Sequence, residues 1–181
     1  MAVSITYFIH GTTTDNEKEI SSGASDAQLS DVGVQQSLAL RDQIDIKKFD
    51  VVFCSDLQRA TTSAKLTFED KVPIMVDPRL RECNYGDFNA QPSTIVEPMQ
   101  EKAIHTPFPN GESYEDVKAR LADFLADLKQ EYDGKHVAIV AHKAPQLALD
   151  VLLHGKTWQE AFAEDWRITK NWQPGWGYTL R

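Results

Sequence analysis

A chain of 181 residues, 41% hydrophobic and 25% charged, has the make-up of an ordinary globular protein with room for a proper core. Its net charge of −8 argues against general binding to nucleic acid or to a membrane surface, so an anionic ligand must be drawn by a few focused cations. The two cysteines, Cys54 and Cys83, form no metal or CxxC pattern and fit a reducing, cytoplasmic setting; no secretory leader and no bilayer-length apolar run is read.

Taken in order, Ser4 to Ile9 is rich in β-branched and aromatic residues and predicts a buried first strand. It stops at His10-Gly11, followed by a row of hydroxyls, so the strand delivers an imidazole to a turn that can approach a ligand closely. Gly11 to Asp26 is polar and reads as a loop. Ser30 is the expected cap of a helix running to about Ile44, with Val34 and Leu38 inward. Phe49 to Cys54 predicts a second buried strand, and Ser55-Asp56 a cap for a helix from Leu57 to about Phe68. Val72 to Val76 is a third strand, closed by Asp77-Pro78.

Arg79 to Gly111, with four prolines, is a long irregular stretch of the kind that is functional or hides short helices. Ser113 caps the clearest helix, whose Tyr114, Val117, Leu121, Phe124, Leu125 and Leu128 make one apolar face, and Gly134 ends it. His136 to Ala141 is a fourth strand, followed by His142 and a helix opened by Pro145 and running to about Leu153. The tail carries four tryptophans, read as core and lid packing, and Tyr178 to Leu180 adds a last strand.

Apolar strands alternating with helices imply a three-layer α/β sandwich: one domain, 1–181, with a largely parallel sheet covered on both faces. Ligands of such sheets sit beyond the carboxyl ends of the strands. There the chain places His10, Ser55 to Arg59, Arg81-Glu82 and His142-Lys143. Two imidazoles, a few cations and one carboxyl suit phosphoryl transfer: an imidazole nitrogen can attack phosphorus, cations spread the charge, and a carboxylic acid can protonate the leaving oxygen. Asp15 and Asp26 could join the histidines around a metal, but no H-x-x-x-H or H-x-D spacing supports it. His105, His136 and His154 read as structural or surface residues.

At these positions the sequence resembles the histidine phosphatase (phosphoglycerate mutase-like) superfamily. Ile9-His10-Gly11 stands where the family has Arg-His-Gly, and Gln28 to Gly33 is similar to its "pLt..G" helix start. Cys54 to Ala60 is close to "SDL.RA", Leu80 to Gly86 to the "L.E..fG" acid loop, Gly111-Glu112-Ser113 to "GES", and Ala141-His142 to "SH". The resemblance covers about residues 4 to 153 and implies a phosphoglycerate mutase-like fold and a metal-independent phosphomonoesterase that needs no cofactor. It implies that His10 becomes phosphohistidine, that Arg59 and His142 hold phosphoryl oxygens, and that Glu82 is the proton donor. Asn16, Gly11 and Thr12 would add further donors. The partner is a small phosphorylated substrate or inorganic phosphate, not nucleic acid or membrane; oligomeric state is open, a homodimer being one arrangement.

Two positions depart from the family. Ile9 replaces its first Arg, and losing one preorganised donor typically costs about 10²–10³ in rate. Lys143 stands where a Gly is common and could supply charge, though not the planar fork of an arginine. The same Ile9 would suit a degenerate member that binds phosphate without turnover. A mutase is the third reading, set below phosphatase because family mutases tend to carry longer insertions around the site.

Overall fold

Five strands form the central sheet of the computed structural model, which describes residues 1–69 and 71–181. The first half of the chain gives β1 (Val3–Ile9), the short α1 (Thr14–Glu17), β2 (Ile20–Ser21), α2 (Asp31–Gln43), β3 (Val51–Cys54), α3 (Gln58–Phe68) and β4 (Ile74–Val76). The second half gives β5 (Gln91–Pro92), α4 (Ser93–Gln100), α5 (Tyr114–Glu131), β6 (His136–Ala141), α6 (Lys143–His154), α7 (Trp158–Ala163), α8 (Trp166–Thr169) and β7 (Trp176–Leu180). The sheet order is β4-β3-β6-β1-β7, parallel throughout except for β7, which runs antiparallel to β1. β2 and β5 make a separate small antiparallel pair. This is the largely parallel α/β sheet expected from the sequence.

Strand parity builds the two cores, because successive side chains point to opposite faces. Val3, Ile5 and Tyr7 of β1, Val51 and Phe53 of β3, and Val137, Ile139 and Ala141 of β6 pack with Leu121 of α5, Leu147 of α6 and Phe162 of α7. The alternate residues Phe8, Val52, Cys54, Ala138 and Val140 pack on the other face with Ala64 and Phe68 of α3. Both faces of β3 and β6 are therefore buried, which is why these strands read as nearly continuous apolar runs; on the second face of β1 Phe8 is buried, Thr6 half-buried and Ser4 exposed.

Several local expectations are corrected. In α2 the buried residues are Gly33 and Ser37, whereas Val34 and Leu38 are only half-buried. The reason is a backbone-to-backbone approach: a Cβ on Gly11 would meet the Gly33 oxygen at 2.5 Å, and one on Gly33 would strike the Thr12 carbonyl. Helix α3 starts at Gln58, and its first N–H groups are not capped by Ser55-Asp56; Asp26, reaching across from the loop, accepts from the Gln58 N–H at 2.6 Å. β4 begins only after Pro73 and is a partly exposed edge strand. The 79–111 stretch does hide short helices, as its sequence allowed: α4 and three short 3-10 turns, with β5 among them. Helix α6 starts at Lys143, which puts Pro145 inside the first turn, where its missing N–H costs nothing. α5 follows its expected course, with Ser113 and Asp116 closing a reciprocal cap.

Candidate active site

The carboxyl ends of β1, β3 and β6 open onto a cavity of about 1070 Å³. His10, Gly11, Thr12, Asn16, Arg59, Glu82 and Lys143 all line it. His142 lies behind His10, with ring centroids 5.0 Å apart. The parallel pairing of β1 with β6 sets this juxtaposition, because Ile9 lies opposite Ala141 and each strand ends one residue before its histidine. Tyr7 fixes it further. Its buried hydroxyl donates to the His142 carbonyl at 2.7 Å and accepts from the His142 N–H at 3.0 Å. Burial, with the Glu82 charge behind it, pushes the Tyr7 phenol well above its ordinary pKa, so the group stays neutral and can do both.

His10 is held by Nδ1, which lies 2.7 Å from the Gly11 carbonyl oxygen. A carbonyl only accepts, so Nδ1 carries the proton and Nε2 keeps its lone pair. Burial, then the neighbouring Arg59 guanidinium, pull the His10 pKa down to about 3, which keeps the ring neutral at ordinary pH. His142 is lowered in the same way, first by burial and then by Arg59 and His10. Both of its ring nitrogens are buried without a hydrogen-bond partner among the described residues. Buried polar atoms are normally satisfied, so an orphaned imidazole touching a cavity-lining one points to a ligand.

Arg59, only 3% exposed, comes from the first turn of α3. Its Nη1 and Nη2 donate to the carbonyls of Ser25 and Gly23, both at 2.7 Å, which fixes the guanidinium plane and leaves further donors of the fork for a ligand. Glu82 pairs with neither neighbouring arginine. Its carboxylate accepts from the backbone N–H groups of Cys83 and Ala144, both at 2.9 Å, and of Lys143 at 3.2 Å, and so sits on the first turn of α6. Arg81 points away and forms a two-pronged pair with Asp56 at 2.6 and 2.7 Å, so it is not a member of the site.

The smaller donors are already engaged. The Gly11 N–H donates to Ser63 Oγ at 3.0 Å, and the Thr12 N–H and hydroxyl both donate to Gln36 Oε1. Asn16 accepts from the Thr13 N–H through Oδ1, leaving its NH2 group for a ligand. Lys143 donates to Gln100 at 2.8 Å, and its Nζ lies 3.5 Å from the buried carboxylate of Asp165. Ile9 borders both the core and the cavity.

Sequence reasoning missed Tyr7, Gln36, Arg120, Asp165 and Arg167. Arg120 of α5 grips the acid loop: it pairs with Glu112 at 3.0 and 3.1 Å and donates to the carbonyls of Arg79 and Glu82. The one available signal was Tyr7, a phenol in a largely buried strand, which must find a hydrogen-bond partner. Among the described residues no group of three or more His, Cys, Asp or Glu is placed to hold a metal ion. Nor is any helix long and apolar enough to cross a membrane.

Comparison with known proteins bears on this geometry. The model of the histidine phosphatase superfamily (branch 1) matches residues 7–173. The chain is 35% identical over 133 residues to fructose-2,6-bisphosphatase TIGAR of Xenopus tropicalis, covering 67% of this chain and 48% of that protein. It therefore spans about half the length of that relative. It is 28% identical over 145 residues to the adenosylcobalamin/alpha-ribazole phosphatase of Escherichia coli, covering 74% of this chain and 70% of the other. Among solved structures, a mycobacterial glucosyl-3-phosphoglycerate phosphatase in complex with VO3 superimposes with a TM-score of 0.75 at 27% identity, over 90% of this chain and 86% of that one.

Proposed function

The chain belongs to the histidine phosphatase superfamily (branch 1), and from that premise we propose that it is a metal-independent phosphomonoesterase acting on a small phosphorylated metabolite. The observation that carries the reading is the His10–His142 pair, with His10 held through Nδ1 so that Nε2 is free to attack. In the first step the Nε2 lone pair forms a bond to phosphorus while the ester P–O bond breaks. The leaving oxygen takes a proton from the carboxyl of Glu82. In the second, water attacks the phosphohistidine, the P–N bond breaks, and the Glu82 carboxylate takes the proton from water. Inorganic phosphate leaves and His10 is regenerated. Arg59 and His142 hold the non-bridging oxygens throughout, and Asn16 contributes its NH2 group. Gly11 and Thr12 shape the pocket floor, and Lys143 adds positive potential at its rim.

A cavity of this size suits a small molecule, and the chain's acidic balance favours neither nucleic acid nor a membrane as partner. A cytoplasmic setting accords with two free, buried cysteines; burial holds the Cys54 thiol near 11, so it stays protonated. A second reading, a phosphate binder with little turnover, is favoured by Ile9 alone. Against it stands the retention of both a nucleophile and an acid, which a binder does not need. p-Nitrophenyl phosphate separates the two. Hydrolysis by the wild type that falls on the order of 10⁴-fold or more in His10→Ala supports the enzyme. Stabilisation by inorganic phosphate with no turnover supports the binder.

A further inference from the structure

We propose that Arg167, in the tail, supplies the guanidinium that the end of β1 lacks, and clamps the transferred phosphoryl group from the side opposite Arg59. The inference rests on the phosphatase reading and assigns a further residue to the same site. The sheet places it there. β7 pairs antiparallel with β1, Trp176 lying opposite Tyr7, so the chain that precedes Trp176 overhangs the tip of β1, where Ile9 and His10 stand. Gly175 touches that strand directly: a Cβ there would meet Thr6 and Phe8 side-chain carbons at 2.9 Å. Arg167 lies on this overhang and lines the same cavity as His10 and Arg59.

Its guanidinium is held ready. A single buried carboxylate, Asp165, caps α8, accepts from the Arg167 backbone N–H at 3.1 Å and from Nη1 at 2.8 Å. The guanidinium lies 4.4 Å over the Trp166 ring, which is itself stacked on Trp176 of β7. No other donor of the Arg167 fork has a partner among the described residues, whereas an arginine presents five. The remaining cations on the cavity wall are less suited. Lys143 is engaged by Gln100 and faces Asp165, and Lys170 offers a point charge without a fork. The positive charge of Arg167 also counts among those that hold the His10 and His142 rings neutral, which places it within electrostatic reach of both.

The test combines kinetics on p-nitrophenyl phosphate with the affinity for inorganic phosphate. Arg167→Met should lower kcat/KM by about 10²-fold and weaken phosphate binding about tenfold or more, with Arg167→Gln behaving alike. Installing the strand-end cation in the deficient background, as Ile9→Arg with Arg167→Met, should recover kcat/KM to within about tenfold of wild type. That rescue is one a merely structural role would not give. Arg167→Met within about threefold of wild type in both readouts overturns the proposal, as does a folded double variant no better than Arg167→Met. If the wild type shows no His10-dependent turnover, the phosphatase reading fails. The phosphate affinities then still decide the role of Arg167.

Discussion

The two walls of the cavity are built on different principles. On the strand-end side, each reactive group is fixed by backbone: Nδ1 of His10 on the Gly11 carbonyl, Arg59 on two loop carbonyls, Glu82 on three backbone N–H groups. On the tail side, apart from Arg167, Trp172 and Ile168 line the cavity from a short helix and the loop after it, while being 56% and 61% exposed. Backbone anchoring survives changes of side chain and suits groups that must hit one geometry. Side chains on a short helix and loop are replaced without disturbing the sheet, so they suit recognition of the part of a substrate that varies.

The largest test of this division is Arg59→Met. If the strand-end wall carries the chemistry, kcat/KM for p-nitrophenyl phosphate should fall about 10²–10³-fold. A loss confined to KM would move Arg59 to the recognition side.

Next in size is an acid-stability difference. His142 is held neutral in the fold, its pKa well below 6.5 through burial. Above about pH 6.5 neither the folded nor the unfolded state carries the proton, and the residue adds no pH dependence. As pH falls, the unfolded chain takes up a proton that the folded one refuses, so stability drops. His142→Gln should therefore lose less stability than wild type as the pH falls below about 6.5, read as urea unfolding midpoints and slopes. Equal losses in the two proteins would mean that the ring is not sealed as the strand-end wall requires.

The smallest effect belongs to the tail. Trp172→Ala should raise KM for p-nitrophenyl phosphate several-fold, about 1 kcal/mol of ring contact, with kcat within about twofold. A kcat loss comparable to that of Arg59→Met would erase the distinction between the walls.

What could be read from the sequence follows the same line. The largely apolar, β-branched runs of β1, β3 and β6 announced buried parallel strands, and His10 and His142 were visible because each directly follows the end of such a strand. The inward face of α2 was misread because its contact is made by the absence of a side chain at Gly33, which a search for apolar periodicity passes over. The cap on Gln58 was hidden because Asp26 is distant in sequence. Arg120 gives no local cue either, since its partners are two loop carbonyls and a glutamate beyond the helix cap. Asp165 and Arg167 sit in a segment with no regular pattern, and only the antiparallel return of β7 reveals that it hangs over β1.

The double hydrogen bond of Tyr7 has a mechanical consequence. One phenol ties β1 to the first residue beyond β6, so a shift of either strand end would carry both imidazoles with it.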